Sequence, residues 1–412
     1  MTLRDYQVDI SDRAVKILRK YKIVYLAMEV RTGKTLTSLA TAYLFGAKKV
    51  LFVTKKKAIE DIVKQAACLQ YDMQIFVTNY EQLHNVEYGF DLVIIDEAHC
   101  LGAYPTPSIR AKELKRICVA TPIIYLSGTP TPESYSQIFH QFWVSTFSPF
   151  ANYKTFYKWA VDYVHVTKQW ISGHAHNDYS NADQTIIDGA AKHLFLTYTQ
   201  EQAGFESMVQ EQILYVKMLP STYALANRLR IDKIVTNKEG QSVIADTGAK
   251  MMQKLHQIYS GSVIVDEPER EAKAFDYSKA EFIRDYFKGK RIAIFYKFAA
   301  ELAILSWVMG EQIGFDPDGF NSGKFNIFAS QILSGREGIN LSSADALVFF
   351  NIDFSATSYW QARARLQTKD REKEAKIYWI FSEGGIEDKV YKAVCDKKDF
   401  TLEYFKNHYK CI

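Results

Sequence analysis

Five short apolar runs rich in β-branched and aromatic residues, at 23–28, 49–53, 73–78, 91–95 and 122–126, alternate with stretches of helical periodicity at 34–46, 57–68 and 108–118. Strands separated by helical crossovers can pair only in parallel, so this pattern predicts βαβ units around a parallel sheet. In such a sheet the loops leaving the strands share one edge, and ligand-binding residues collect there.

Two motifs fall at predicted strand ends. Gly33-Lys34-Thr35 follows the apolar run ending at Met28 and opens the helix at 34–46. There, backbone N–H groups and the helix dipole can hold a phosphate. The full pattern GxxxxGK[ST] would need glycine at 28, where this chain has Met28, so the motif is weak alone and gains from its context. Asp96-Glu97-Ala98-His99 ends the run Leu92-Val93-Ile94-Ile95. A rigid carboxylate pair beside a phosphate loop is what phosphoryl transfer to water requires. The expected roles are Lys34 on the β- and γ-phosphates, Thr35 and Asp96 holding Mg²⁺, and Glu97 polarising the attacking water. ATP and Mg²⁺ are the cofactors this predicts.

The 412 residues suit two domains of about 200 residues each. Hydrophobic content of 48% with 24% charged residues is that of a soluble globular chain, and no apolar run is long enough to span a membrane. Five scattered cysteines without a CxxC pair argue against a disulfide framework or zinc ribbon and for a reducing cytoplasm. The net charge of +4 permits a polyanionic partner without demonstrating one.

From 133 the pattern turns irregular and aromatic, and we read 133–210 as a largely helical extension of the first domain (1–132) ending in a linker. A second α/β domain, 211–412, completes the chain. Its strands are expected near 213–218, 291–296, 325–328, 346–350 and 376–381, with helices at 247–259, 278–287, 298–308, 355–366 and 385–397 and a mainly helical insertion at about 220–288. The polar stretch Asn237 to Gly248 reads as an exposed loop, and 172–181 as an exposed hairpin tip.

With both motifs placed, the chain resembles the superfamily 2 helicases, and within them the Swi/Snf-like DNA translocase branch in a compact, phage-type form. The resemblance implies two tandem RecA-like lobes with ATP·Mg²⁺ held between them. Leu3-Arg4-Asp5-Tyr6-Gln7 is similar to the adenine-reading motif, with Gln7 on the base edge and Arg4 beside it. Glu29 through Thr35, including Thr32, resemble the phosphate loop of this branch, which also lacks the first glycine. Thr54-Lys55 and Thr78-Asn79-Tyr80 resemble strand-contacting motifs that grip DNA phosphates, and Ser127 and Thr129 of Leu126-Ser127-Gly128-Thr129-Pro130 resemble the coupling motif. In the second lobe Lys297 sits in the motif opening the core. Ser334, Gly335 and Gly338 belong to a glycine-rich motif facing nucleotide and DNA, and Gln361 and Arg365 to the closing motif. The activity this resemblance implies is that of an ATP-hydrolysing DNA helicase or translocase of replication, recombination or repair. Such a protein is expected to be cytoplasmic (bacterial or phage-infected host) and to act as a monomer. An RNA-acting ATPase and a nucleotide-gated DNA-binding module stay open as alternatives.

Two departures matter. The closing motif normally carries a second arginine where this chain has Thr368, so Arg365 is left as the arginine finger. Arg31 stands where this branch has glycine, and is expected to point to solvent or to the opposite lobe. His174-Ala175-His176 could chelate a metal if extended, though contact of an exposed hairpin with DNA or a partner explains it better.

Overall fold

A computed structural model describes residues 2–171, 174–204, 209–332, 341, 343–352, 375–392 and 395. The described residues form two compact units, one within Met1–Gly204 and one within Phe205–Asp396.

In the first unit α1 (Asp5–Tyr21), β1 (Ile23–Met28), α2 (Lys34–Phe45), β2 (Lys49–Thr54), α3 (Ile59–Leu69), β3 (Gln74–Asn79), β4 (Leu92–Ile95), α4 (Ile109–Ile117) and β5 (Ile123–Leu126) come in order. Next are α5 (Ile138–Trp143), α6 (Phe156–Tyr163), β6 (Thr167–Ile171), β7 (His174–Asp178), α7 (Gln184–Ala191) and β8 (Phe195–Tyr198). The main sheet is parallel with order β3-β2-β4-β5-β1-β8. Strands β1, β4 and β5 are buried along their whole length, as expected for a sheet covered on both faces.

The segment 133–210 departs from a helical extension ending in a linker. Phe195–Tyr198 is a sixth strand, paired in parallel with β1 from Tyr25↔Phe195 to Met28↔Tyr198. The aromatic residues of this segment pack on one face of the sheet. Phe139, Phe142, Phe150, Phe156 and Trp159 are fully buried in one cluster with Tyr25 and Tyr125, each contributing about 1.5–3 kcal/mol of apolar burial. The aromatic density noted in the sequence is therefore mostly core. Strands β6 and β7 form an antiparallel pair, Thr167↔Asp178 to Ile171↔His174; its connecting residues, 172–173, lie outside the described ones.

The second unit begins with β9 (Val209–Val216), α8 (Pro220–Asp232), β10 (Ile234–Thr236), β11 (Ser242–Ile244), α9 (Gly248–Ile258), β12 (Ser262–Val265), β13 (Glu271–Ala274) and α10 (Ser278–Tyr286). It continues with β14 (Ile292–Tyr296), α11 (Ala299–Met309), β15 (Ile313–Gly314), α12 (Pro317–Asn321), β16 (Ile327–Gln331), β17 (Ala346–Phe349) and β18 (Ala375–Ser382). Its parallel sheet has order β15-β16-β14-β17-β18-β9.

The insertion between β9 and β14 holds three helices, joined by two short antiparallel pairs, β10–β11 and β12–β13, so it is less purely helical than expected. The stretch from Asn237 to Gly248 is thus not all loop, since Ser242 and Val243 are buried in β11. The expected helix at 355–366 lies outside the described residues.

Candidate active site

Parallel pairing puts the exits of β1, β2, β4, β5 and β8 on one edge of the first sheet, and the candidate residues lie in those exits. Between β1 and α2 the backbone turns through two left-handed residues, Arg31 (φ 65°) and Gly33 (φ 83°). Thr32 between them is fully buried, and its hydroxyl donates to the Glu29 carbonyl at 2.7 Å. Gly33 caps α2, and a Cβ there would stand 2.0 Å from Gln7 Nε2. The free N–H groups of the first turn of α2, which starts at Lys34 and Thr35, face the end of this loop. Lys34 Nζ donates to the Met28 and Glu29 carbonyls at 3.0 and 3.1 Å, so its ammonium lies folded back over the loop.

The N-terminal segment is brought to the same place. Gln7 is buried; its Oε1 accepts from the Arg4 N–H at 2.9 Å and its Nε2 donates to the Gly33 carbonyl at 3.5 Å. Tyr6 donates to the Thr32 carbonyl at 2.9 Å, and Arg4 Nη1 donates to the Tyr6 hydroxyl at 3.4 Å. Contact of Gln7 with a base edge would require its carboxamide to turn from these partners.

At the β4 exit, Asp96 Oδ2 accepts from the Thr54 hydroxyl at 2.8 Å. Burial, then the neighbouring Glu97 charge, push the Asp96 carboxyl up to about 6, while Thr54 and Lys34 pull it down. The α2 start and the β4 exit lie on the same edge of the parallel sheet. Glu97 is held at φ 51°, ψ 46°, a left-handed conformation that costs a non-glycine residue about 1 kcal/mol or more. His99 Nδ1 lies 3.3 Å from Glu97 Oε2 and 3.0 Å from Ser127 Oγ, and Ser127 Oγ accepts from the Thr129 N–H at 3.1 Å. The oxygen donors Asp96 and Thr35 suit a hard cation such as Mg²⁺. Among the described residues there is no cluster of three or more His, Cys, Asp or Glu side chains able to hold a metal by themselves.

Four residues expected to touch nucleic acid are occupied inside the fold. Thr54 is fully buried against Asp96. Asn79 caps the turn Tyr80–Asn85, accepting from the Glu81 and Gln82 N–H groups at 3.0 and 3.1 Å. Tyr80 is buried with its hydroxyl on the Asp96 carbonyl, and Ser127 is fully buried against His99. Of the four, Thr54 and Tyr80 bond directly to Asp96. Lys55, Thr78 and Thr129 keep partial exposure there.

Arg31 is also half-buried, and burial lowers its guanidinium to about 10. In the second unit Lys297 follows β14, its N–H donating to Glu301 Oε2 at 2.7 Å and its carbonyl accepting from Gln331 Nε2 at 2.9 Å. Ser334, Gly335, Gly338, Gln361, Arg365 and Thr368 lie outside the described residues.

One contributor was missed. Beyond β8 the Gln200 N–H donates to Glu29 Oε2 at 2.6 Å, and Gln200 Nε2 donates to the Val30 carbonyl at 2.9 Å. No local pattern in the sequence signals contacts between residues so far apart.

Comparison with known proteins finds partial matches. The family described as "Type III restriction enzyme, res subunit" matches residues 1–67. DNA repair and recombination protein RAD26 of Saccharomyces cerevisiae is 32% identical over 84 residues, 20% of this chain and 8% of that protein. Helicase SWR1 of Yarrowia lipolytica is 25% identical over 207 residues, 43% and 12% respectively. Human chromodomain-helicase-DNA-binding protein 1 is 30% identical over 134 residues, 28% and 8%. The matches thus span 8% to 12% of the length of these relatives. With its two parallel α/β sheets and these partial matches, the chain is similar to superfamily 2 helicases of the Swi/Snf-like branch.

Proposed function

We propose that the chain is an ATP-driven motor that moves on duplex or branched DNA and remodels or unwinds it in replication, recombination or repair. The observation that carries this reading is that the parallel sheet brings the β1 exit, with Gly33-Lys34-Thr35, and the β4 exit, with Asp96-Glu97, to one edge. ATP would lie over Gly33, Lys34 and Thr35 with Thr32 and Glu29 shaping the loop, and Arg4 and Gln7 near the base. When bound, Mg²⁺ would sit on Asp96 and Thr35 and neutralise charge on the phosphates. Lys34 leaves its two carbonyls for the phosphates, and Glu97 orients the attacking water. Gly338, Gln361 and Arg365 are the proposed contributions of the second unit to ATP.

The relatives named for DNA repair, recombination and DNA binding support DNA as the partner. Contact through Lys55, Thr78, Thr129, Lys297, Ser334 and Gly335 would be to phosphates, hence sequence-independent and weakened by salt. The test is steady-state ATPase with duplex DNA, single-stranded DNA, forked DNA and RNA. DNA should stimulate turnover, and Lys34→Ala, Glu97→Gln and Arg365→Ala should each abolish it. Stimulation by RNA alone would replace DNA as the partner, and nucleotide binding without turnover would make the chain a nucleotide-gated binding module.

A further inference from the structure

Two long side chains from outside the turn hold the carbonyls at its start, beside the Thr32 hydroxyl on that of Glu29. Lys34 Nζ takes those of Met28 and Glu29, and Gln200 Nε2 takes that of Val30. Gln200 also fixes the Glu29 carboxylate through its own N–H, and the Glu29 N–H donates to the Tyr198 carbonyl at 2.9 Å, extending the β1–β8 ladder into the loop. Tyr198 in turn stacks on Tyr6, with ring centroids 4.4 Å apart at 11°.

The turn carrying Gln200 is organised on its own. The Thr199 N–H donates to Gln202 Oε1 and the Gln202 N–H to Thr199 Oγ1, at 2.9 and 3.1 Å, and the Tyr198 hydroxyl donates to the Gln202 carbonyl at 2.9 Å. The chain then passes from Gly204 into the second unit, which begins at Phe205.

We propose that Gln200 is a positioning residue that transmits the state of the phosphate loop to the segment leading into the second unit. The proposal rests on reading 29–35 as the ATP phosphate loop. A phosphate that draws Lys34 off Met28 and Glu29 leaves the Glu29 carbonyl on Thr32 and makes Gln200 the side chain that ties the start of the loop to the 199–204 turn. Any shift at Glu29 or Val30 is passed to Gln200 through its two hydrogen bonds, and from there to the turn at 199–204. The Glu29 carboxylate, which would repel a phosphate, is kept on the Gln200 N–H throughout.

The test uses the full chain with Gln200→Met, which preserves side-chain length and removes the donor to Val30. Hydrogen exchange of peptides covering 199–210 is followed with and without a non-hydrolysable ATP analogue, alongside analogue affinity and DNA-stimulated ATPase. In the unsubstituted chain the analogue should slow exchange at 199–204 by about fivefold, the equivalent of one hydrogen bond. In Gln200→Met that protection should vanish and DNA-stimulated kcat should fall by about fivefold or more, while analogue affinity and KM for ATP stay within about threefold. A merely structural role would lower thermal stability and leave the analogue-dependent protection in place. That result, or unchanged kcat and protection, overturns the proposal while the ATP-site reading stands. Failure of the unsubstituted chain to bind the analogue overturns both.

Discussion

Replacing Gly33 with alanine perturbs the phosphate loop at the point where its backbone and the N-terminal segment meet. The residue sits at φ 83°, where a Cβ costs about 1–2 kcal/mol. The added carbon would also stand 2.0 Å from Gln7 Nε2. Gln7 is 3% exposed, so its carboxamide can yield only by giving up the Arg4 N–H bond at 2.9 Å and the longer contact to the Gly33 carbonyl, worth about 1 kcal/mol together. The sum, about 2–3 kcal/mol, should appear as roughly 30- to 150-fold weaker ATP binding. Fluorescent ATP-analogue titration reads this directly, with a thermal melt of the same samples to show that the fold is kept. The steric part has its own signature. In Gln7→Ala/Gly33→Ala the clash partner is gone, so the double variant should bind at least as well as the sum of the single effects predicts, by about 1 kcal/mol of coupling. Binding by Gly33→Ala within about threefold of the unsubstituted chain, or strict additivity in the cycle, would refute the account of why glycine stands here.

Three further outcomes are open to measurement. Arg31→Gly places glycine at φ 65° and should stabilise the loop by up to about 1 kcal/mol, read as a small rise in Tm; a fall in Tm would mean that the half-buried guanidinium contributes more than the backbone strain costs. His140 is held at about 4, chiefly by burial, against an unfolded value near 6.5. The unfolded chain therefore binds the extra proton between those values, and stability should be lost as pH falls through that window, by about 3 kcal/mol in all. Urea midpoints for the first unit at pH 7 and pH 5 should differ less in His140→Gln than in the unsubstituted chain, and an equal difference would remove His140 as the cause. Lys279 and Glu387 form an ion pair at 2.7 Å with side chains 1% and 0% exposed; Lys279→Met should cost about 3–5 kcal/mol by stranding the carboxylate. Lys279→Met/Glu387→Leu should recover much of that loss, and a double variant worse than the single would contradict the pairing.

The parallel sheets were legible because their strands are nearly continuous apolar runs with helical intervals between them. β1, β2, β4 and β5 of the first unit and β14, β17 and β18 of the second lie within a few residues of the expected spans. What escaped had weaker or non-local signals. Phe195–Tyr198 is four residues inside an aromatic stretch, and only its pairing with β1, distant in sequence, makes it a strand. The α1 helix was hidden because 3–7 drew attention as a motif, although its apolar face (Ile10, Ala14, Leu18) has helical spacing. The antiparallel pairs β10–β11 and β12–β13 have strands of three or four residues, too short for an alternation to register.

The same distinction governs the site. Motif spacing picked out strand exits that the parallel sheet brings to one edge, those bearing Lys34, Asp96, Glu97, His99 and Ser127. It did not separate residues facing a ligand from residues facing one another. Thr54, Asn79, Tyr80 and Ser127 belong to segments resembling strand-gripping or coupling motifs, yet each is buried and hydrogen-bonded within the edge. Buried hydroxyls aimed at a carboxylate and at its neighbouring carbonyl have a definite use. Asp96 has been raised to about 6 by burial and by Glu97, and the Thr54 hydroxyl is one of the groups that favour its ionised form. A side chain committed in this way cannot also bind a DNA phosphate without releasing the carboxylate. The edge therefore sorts its residues by depth: the Thr54 and Tyr80 hydroxyls are buried on the Asp96 carboxylate and carbonyl, while Lys55, Thr78 and Thr129 keep partial exposure. Residue type and spacing are the same for both groups, so only burial tells them apart.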